Sequence, residues 1–480
     1  MIARLGELLG RTVGRWIPDP FVIAVLLTVM TGILGIAFGD FGGRDGDLAT
    51  RAVWMLDTWR GPEGIWKFLA FAMQMCLVLL TGSALVAAPV ISRALDRLAR
   101  FPRSRRSGAA TVAVVACSLG LINWGLGLVA GAILARRMAD AFDARGLVGH
   151  RAILAAAGYT GMMIWHGGLS GSAPLTMTTV SNAQKALPQV TIDALVAAGF
   201  GRADDPSAVM VPLSQTLFSP LNVAVSLGLL VIVPVVVWLL AGPTGQPAAE
   251  PPLGEPARTT RVAEESGREL TGSAIDRLFA SPIVATILGV LVSGAFVRFV
   301  VVSGPGAIGI DQVNMAMLGA GILLHRSLAS YAGAAEGAAK ECSGIMLQFP
   351  LYAGIMGMMV SSGLVAQIAR WGVGVVDPGL LPIAEFVLAA IINLFVPSGG
   401  GQWGVQGPIA IQAGLESGVS PGRMIMAVAY GDQLTNMLQP FWALPLLSIT
   451  RTRPQQLVGF LAVIMAAGAL WISACLIIGL

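Results

Sequence analysis

Runs of apolar residues about as long as a bilayer is thick dominate this chain, and they limit what it can fold into. Nine such runs, one of them short, lie at residues 20–39, 65–89, 151–172, 219–241, 281–301, 311–325, 342–366, 424–446 and 456–480. Charged residues make up 12% of the 480 residues, against about 25% in soluble domains. The sequence therefore predicts an all-α polytopic membrane protein with about nine transmembrane helices. It excludes a cytosolic enzyme and a nucleic-acid binder.

The arginines between these runs predict the sidedness of the loops, because cytoplasmic loops are enriched in basic residues. Six arginines lie in residues 92–107 and four in residues 136–151, so both loops are expected inside. Only the apolar stretch 108–135 separates them, and a stretch with both ends on one side has to return. We interpret it as a re-entrant hairpin with arms of about 13 residues. Its tip is expected at Asn123, Trp124 and Gly125, and the alternative is one long helix interrupted by glycine.

The stretch 381–413 is interrupted in the same way, by the glycine-rich residues 397–404. Basic residues place the N-terminus inside and the C-terminus outside, with 21 of the 30 Lys and Arg residues in cytoplasmic segments. The ends of 381–413 then lie outside. This stretch is expected to form a second re-entrant hairpin that enters from the opposite face.

The order span, span, hairpin, span, span occurs on both sides of residues 281–301 and predicts an inverted repeat. We expect a cytoplasmic amphipathic segment at 1–19 and a first repeat at 20–241. A cytoplasmic linker at 242–280, a connecting helix at 281–301 and a second, inverted repeat at 311–480 follow. Inverted repeats with interrupted helices are the build of secondary transporters.

The two interruptions are the expected binding site. Backbone inside a membrane leaves the helical state only where protein or a water-filled cavity supplies hydrogen bonds for its polar groups. A helix that restarts after a tip directs its positive end at the cavity, which suits an anion. The alternative is a structural kink packed by other helices. The substrate-binding candidates are Asn123, Trp124, Gly125, Ser170, Ser172, Asn393, Ser398, Gly399, Gly400, Gly401, Gln402 and Trp403.

A second pair of broken elements is expected at 165–174 and 430–440, and Asp432 and Asn436 are the coupling candidates. An ionised carboxylate at membrane depth costs about 2.5–3.5 kcal/mol on insertion scales, so Asp432 should face a cavity or a partner. Asp432 is either a proton carrier or a residue that caps backbone N–H groups at the helix break. His166 either titrates or packs, and Glu385 is expected to mark the membrane interface.

No buried Arg or Lys lies near the tips, which favours a monovalent anion whose charge a co-transported Na⁺ or H⁺ balances. No cofactor is expected, and a metal is left open. Trp124, Trp165 and Trp403 are candidates for an apolar wall around a short alkyl chain. A passive channel is one alternative. Another is an intramembrane serine protease, since residues 168–171 read Gly-Leu-Ser-Gly, but its histidine would have to be His325.

Eight stretches, in order along nearly the whole chain, resemble the bacterial short-chain fatty acid transporter family, whose members include acetoacetate and butyrate uptake proteins. They are Arg15-Trp-Ile-Pro-Asp-Pro20, Phe71-Ala-Met-Gln-Met75, Ile122-Asn-Trp-Gly-Leu-Gly127, Gly168-Leu-Ser-Gly-Ser-Ala-Pro174, Gln348-Phe-Pro-Leu-Tyr-Ala-Gly354, Val396-Pro-Ser-Gly-Gly-Gly-Gln-Trp403, Ala429-Tyr-Gly-Asp-Gln433 and Gln439-Pro-Phe-Trp-Ala-Leu-Pro445.

This family is similar to the wider ion-transporter superfamily. The resemblance implies a homodimer in the bacterial inner membrane, with a scaffold part and a mobile part that holds both hairpins. It also implies elevator-type alternating access. The expected function is cation-coupled symport of short-chain monocarboxylates, with the carboxylate between the two hairpin tips. The coupling ion, the chain length, the direction of transport and the role of the outer loop 178–214 stay open.

Overall fold

A computed structural model describes residues 19–147, 151–202, 204–242, 274–304, 310–373 and 376–479. The predicted amphipathic segment 1–19 and most of the predicted linker 242–280 lie outside the described residues. The described part is helical, apart from turns and one isolated β-bridge between Thr179 and Val209.

Eleven helices precede the linker. They are α1 (Pro20–Phe38), α2 (Leu48–Arg60), α3 (Leu69–Ala87), α4 (Pro89–Arg100), α5 (Arg105–Ile122), α6 (Trp124–Asp143), α7 (Arg151–Tyr159), α8 (Ser172–Thr176), α9 (Val180–Ala186), α10 (Gln189–Ala197) and α11 (Pro220–Ala241) in the described part.

The described helices after the linker continue the numbering. They are α12 (Ala274–Ala280), α13 (Pro282–Ser303), α14 (Ile310–His325), α15 (Leu328–Glu336), α16 (Ser343–Ser361), α17 (Leu364–Val373), α18 (Leu381–Asn393), α19 (Gly399–Glu416), α20 (Pro421–Thr435), α21 (Pro440–Thr450) and α22 (Pro454–Ile478).

Six described helices are long and apolar enough to cross a membrane, namely α1, α5, α11, α13, α16 and α22. Helices α3 and α4 together form a seventh candidate that is bent by 83°. The chain is thus a multi-pass membrane protein. Two predicted spans, 151–172 and 424–446, are broken into shorter pieces, so the count of nine crossings stays a prediction.

Helices α5 and α6 fold back on each other and form the first hairpin. The packing is antiparallel, because Gly108 near the start of α5 faces Phe142 at the end of α6, while Gly120 faces Gly127 beside the turn. The chain reverses at Asn123, whose extended backbone separates the two helices. The alternative of one long interrupted helix is therefore wrong.

The arms of this hairpin are longer than expected. They contain 18 and 20 residues, or about 27 and 30 Å of helix, where the sequence analysis expected about 13 residues each. Both helices continue into residues that the sequence analysis treated as charged loops. Ser104 caps the start of α5, and α6 runs on through Arg136 and Arg137.

Helices α18 and α19 form the second hairpin, with 13 and 18 residues. Gln402 on the return arm donates to the carbonyl of Ala389, and Gln406 donates to Glu385 on the outgoing arm. This pairing shows that the arms are antiparallel. Pro397 lies in the turn between them, at residues 394–398, where no helical N–H is required.

Each hairpin is preceded by a short amphipathic helix, α4 before the first and α17 before the second. From sequence, these stretches were expected to be a loop and the end of a span. With them, both halves show the same order of elements: long helix, short helix, hairpin, broken helix, long helix. The similar order supports the predicted internal repeat, and the inverted orientation of the second copy stays a prediction.

The described helices pack in two groups. One contains both hairpins with α7, α11, α20 and α22, and the other contains α1, α2, α3, α13, α14 and α16. Helix α21 contacts both groups. Small residues let the first hairpin approach α7 closely, since a Cβ on Gly131 would lie 2.3 Å from the carbonyl oxygen of Gly158. Such small-residue contacts are the usual way for membrane helices to pack.

We predict that Gly127→Ala destabilises the first hairpin. Its Cβ would lie 2.6 Å from the Cα of Gly120, which is backbone and cannot turn aside. Overpacking of this kind costs about 1–3 kcal/mol. The measurement is the melting temperature in detergent, read from tryptophan fluorescence. Gly32→Ala is the matched control because nothing lies within 4 Å of its Cβ. Equal melting temperatures for the two variants would contradict the close contact.

Candidate functional site

The tip of the first hairpin is an N-terminal cap. The Asn123 Oδ1 accepts hydrogen bonds from the N–H groups of Gly125 (3.0 Å) and Leu126 (3.2 Å). The N–H of Trp124 instead donates to the hydroxyl of Ser170, at 3.0 Å. Asparagine is favoured at this position because its side chain satisfies N–H groups that the first turn leaves without partners.

The tip of the second hairpin is capped in the same manner by Ser398. Its Oγ accepts from the N–H of Gly401 at 3.2 Å. Gly399, the first residue of α19, faces the first broken helix, because a Cβ there would lie 2.7 Å from His166 Nε2 and 3.1 Å from Ser172 Oγ. Glycine is needed here for close approach.

The first broken helix thus lies between the two tips. Helix α7 ends at Tyr159, two 3-10 turns follow at Thr160–Met163 and Trp165–Gly167, and α8 begins at Ser172. We call residues 160–171 the first break. It starts earlier than the sequence analysis expected. The N-terminal ends of α6 and α19 both contact it, so two positive helix ends converge on one short segment.

The second broken helix lies directly against the first. Helix α20 stays regular through Thr435, and α21 begins at Pro440. We call residues 436–439 the second break. The predicted range 430–440 was too wide at its start, because Tyr430 to Thr435 remain helical. Asp432, near the end of α20, and Asn436, in the second break, nevertheless lie where the helix is broken, as predicted from the sequence.

The two broken helices are joined by a buried acid and a buried imidazole. His166 Nε2 lies 3.1 Å from Asp432 Oδ1, and the two residues are 1% and 2% exposed. The backbone N–H of His166 donates to Gln433 Oε1 at 3.1 Å. Asp432 therefore has a partner, as expected for an acid at membrane depth.

Asn393, at the end of α18, connects the second hairpin to α20 and the second break. Its Nδ2 is within hydrogen-bond distance of the Asp432 carbonyl (2.8 Å), Thr435 Oγ1 (3.0 Å) and Asn436 Oδ1 (3.0 Å). Gln439 donates to the Asn393 carbonyl. Asn393 thus bonds the backbone of α20, and the Asn436 side chain bonds Asn393; both residues are buried rather than facing an open space.

Two further side chains, absent from the predicted set, cross between the halves. Tyr159 donates to the carbonyl of Asn436 at 2.8 Å. Tyr430 donates to Asn222 Oδ1 at 3.0 Å, and Asn222 Nδ2 donates to the Gly167 carbonyl at 2.9 Å. Two of these bonds give the carbonyls of Asn436 and Gly167 a hydrogen-bond donor, and the Tyr430 bond holds Asn222 in place. A buried polar residue within an otherwise apolar run is the only sequence signal that these positions offer.

An aromatic wall lies beside the first tip. Trp124 is 5.0 Å from Trp442 and 6.3 Å from Trp165 between ring centroids. Trp442 was not among the predicted wall residues, and neither were the other members, Phe71, Phe349 and Phe441. All four lie in stretches that carry the family resemblance.

Trp403 does not belong to this wall. It is fully buried and packs on its own helix beside Gly407. Gln402 also turns inward, donating to Ala389 and Gln406, and Gln406 donates to Glu385 at 2.7 Å. Glu385 is fully buried between the two arms. Glu385 is therefore enclosed by protein, and its depth relative to the membrane interface stays a prediction.

Exposure divides the predicted binding residues into two sets. Trp124, Ser170, Ser172, Ser398, Gly400 and Gly401 keep some accessible surface, while Asn123, Gly125, Asn393, Gly399, Gln402 and Trp403 are buried. The first set lies around both tips and the first break. It presents three hydroxyls, glycine backbone and an indole, which together suit a small anion with an apolar tail.

Other chemistry has weaker support in the described part of the chain. No group of three His, Cys, Asp or Glu residues there could hold a metal ion. His325 hydrogen-bonds Ser330 and the carbonyl of Ala84, while Ser170 accepts from Trp124. A hollow of about 840 Å³, lined among others by Asp40, Arg44 and Arg370, contains no predicted site residue.

This site is typical of a membrane transport protein. It combines capped hairpin tips, broken helices and a buried polar junction inside an apolar helical bundle. Comparison with known proteins gives the particular family. The family described as Short chain fatty acid transporter matches residues 1–479. The chain belongs to this family.

Two curated relatives are similar over most of their length. A protein named "Putative short-chain fatty acid transporter" from Escherichia coli is 32% identical over 465 residues, which is 96% of each chain. A protein of the same name from Haemophilus influenzae is 32% identical over 461 residues, again 96% of each chain.

Two solved transporter structures are distantly similar. MtrF of Neisseria gonorrhoeae, described as illuminating a class of antimetabolite efflux pumps, is 18% identical with a TM-score of 0.40, covering 100% of this chain and 98% of its own. The YdaH transporter of Alcanivorax borkumensis is 17% identical with a TM-score of 0.41, covering 96% of this chain and 98% of its own. Both scores are too low to define a shared fold.

We predict that Tyr159→Phe destabilises the junction of the two breaks. The change removes the hydroxyl that bonds the Asn436 carbonyl in a buried place, at a cost of about 0.5–1.5 kcal/mol. Tyr352→Phe is the matched control, because the Tyr352 hydroxyl is buried and has no hydrogen-bond partner among the described residues. Detergent melting curves of both variants measure the effect. A loss that is equal in both, or absent from Tyr159→Phe, would contradict the assigned role.

Proposed function

We propose that this chain is a secondary active transporter that carries short-chain monocarboxylates, such as acetoacetate and butyrate, across the bacterial inner membrane. One observation carries the proposal: both hairpin tips, each capped by a polar side chain, contact the same short stretch from His166 to Ser172, at the end of the first break and the start of α8. Membership of the short-chain fatty acid transporter family supports the substrate class.

The carboxylate would bind between the tips. The N-terminal ends of α6 and α19 offer positive helix ends, and Ser170, Ser172 and Ser398 offer hydroxyls with some accessible surface. Recognition of one carboxylate needs no Arg or Lys in such a place, because helix ends bind anions through backbone N–H groups. Asn123 and Ser398 would hold the two helix ends in position.

The alkyl chain would contact the aromatic wall. Trp124 links the wall to the tip, because its backbone N–H bonds Ser170 and its ring lies 5.0 Å from that of Trp442. A wall of limited extent accepts a short chain, and each methylene that it buries contributes about 0.8 kcal/mol. Chain-length preference would therefore follow from the space beside these rings.

Alternating access would be of the elevator type. Both hairpins, α7, α11, α20 and α22 would form the mobile part, and α1, α2, α3, α13, α14 and α16 the scaffold, as their packing groups support. The hairpins would be re-entrant and opposed, within two inverted repeats and about nine crossings. The N-terminus would be cytoplasmic, and two copies would form a homodimer. Cation coupling would involve Asp432 and Asn436.

We predict that purified protein in proteoliposomes accumulates labelled acetoacetate and butyrate when a cation gradient is imposed. Ser398→Ala should lower this accumulation at least tenfold, since it removes both a hydroxyl at the site and the cap of Gly401. Na⁺ and H⁺ gradients are applied separately. Ser417→Ala, at the far end of α19, is the matched control and should keep the activity.

Three outcomes distinguish the proposal from its alternatives. Downhill flux without accumulation under either gradient would indicate a passive channel. Accumulation of another small organic anion, but not of monocarboxylates, would change the substrate class. Full activity in Ser398→Ala would place the binding site away from the second tip.

A further inference from the structure

The His166–Asp432 contact brings together two titratable side chains from different halves of the chain. They are separated by 266 residues, and their side-chain atoms approach to 3.1 Å at a place that is almost fully buried. Each comes from a broken helix, His166 from the first break and Asp432 from α20. The contact therefore exists only while the two broken helices lie side by side.

The charge of the pair depends on how many protons it holds. With one proton the pair is neutral, with none it carries −1, and with two it carries +1. Burial disfavours both charged forms unless a counter-charge is near. An anion bound beside the pair therefore favours the doubly protonated form.

The pair lies against the proposed anion site. Gly399 at the second tip is so close to His166 that a Cβ would lie 2.7 Å from Nε2. The same Cβ would lie 3.1 Å from the hydroxyl of Ser172. A carboxylate held by the N-terminal end of α19 would thus interact strongly with the charge of the pair.

Both members of the pair keep an atom for a further proton. His166 Nδ1 and Asp432 Oδ2 are buried, and neither has a hydrogen-bond partner among the described residues. A buried polar atom without a partner is costly in a purely structural contact. Here the two atoms are the positions at which the pair can exchange protons.

Among the residues that the structure describes, no other titratable group competes for this role nearby. The titratable and charged residues on the helices packed against the pair, and on the two broken helices themselves, are Glu385, Glu416, Arg105, Arg106, Cys117, Arg151, Tyr159, Arg423, Tyr430 and Cys475. Within the described ranges, none of them bonds His166 or Asp432. Glu385, the other buried acid, bonds Gln406 inside the second hairpin.

We propose that the His166–Asp432 pair takes up the proton that is transported with each monocarboxylate anion, so that proton and anion cross together as a neutral unit. This proposal rests on the proposed function. It specifies H⁺ as the coupling cation. H⁺ suits a pair that contains an imidazole better than Na⁺ does, because Na⁺ prefers oxygen ligands.

The first experiment measures proton uptake on binding, in detergent and without a membrane. Butyrate is titrated into wild-type protein by calorimetry in two buffers of different ionisation enthalpy, at several pH values. We expect up to one proton taken up per anion. If one proton is taken up per anion, affinity should fall by up to tenfold for each unit by which the pH rises. His166→Gln with Asp432→Asn should bind with little pH dependence. Glu385→Gln is the matched control and should behave like wild type.

The second experiment separates coupling from transport in proteoliposomes. An inside-alkaline gradient should drive wild-type accumulation, measured above protein-free liposomes because undissociated acid crosses lipid unaided. Asp432→Asn and His166→Gln should each lower this accumulation at least tenfold. Both variants should still exchange labelled for unlabelled acetoacetate. Retained exchange shows that a variant is folded and binds substrate.

The outcomes distinguish this inference from the proposed function. Three results would each overturn the role of the pair. They are wild-type accumulation driven only by Na⁺, butyrate binding without proton uptake, and loss of proton-driven accumulation in Glu385→Gln but not in Asp432→Asn. The proposed function would still stand. If wild-type protein neither exchanges nor accumulates any short-chain fatty acid, the proposed function itself fails.

Discussion

Backbone polar groups at a break in a membrane helix must find partners without help from water, and the architecture of this protein depends on meeting that demand twice in one place. The two breaks satisfy each other. Tyr159, ahead of the first break, bonds the carbonyl of Asn436 in the second, and Asn222 bonds Gly167 while it accepts from Tyr430. The bonds made by Tyr159 and Tyr430 join the two halves, so the packing that forms the fold also forms the junction of the two breaks.

Much of this arrangement follows from local sequence. The turns at Asn123 and Ser398 could be predicted because capping is local: a short polar side chain followed by glycines specifies where a helix restarts. Helix ends were harder to predict. Arg136 and Arg137 looked like a loop, yet they continue α6. Amphipathic helices such as α4 carry arginines for the same reason that loops do, so composition alone did not separate them.

The contacts that build the site could not be predicted from local sequence, because they join distant residues. Nothing around His166 specifies Asp432 as its partner, and nothing around Glu385 specifies that Gln406 will reach it from the other arm. Trp403 shows the opposite error, since a tryptophan beside a glycine-rich turn looks like part of a ligand wall, but it packs within its own hairpin. The sequence shows which residue types are present, but the direction of each side chain depends on packing with distant helices.

The pairing of distant halves has a consequence for synthesis. Residues 159, 166 and 222 are 277, 266 and 208 positions ahead of their partners. At ~5–20 residues per second, the second half leaves the ribosome on the order of ten seconds to a minute after the first. During that interval, Tyr159, His166 and Asn222 have already been synthesised, while their partners in the second half have not. The hydrogen bonds that join the two halves can therefore form only after most of the chain has been made.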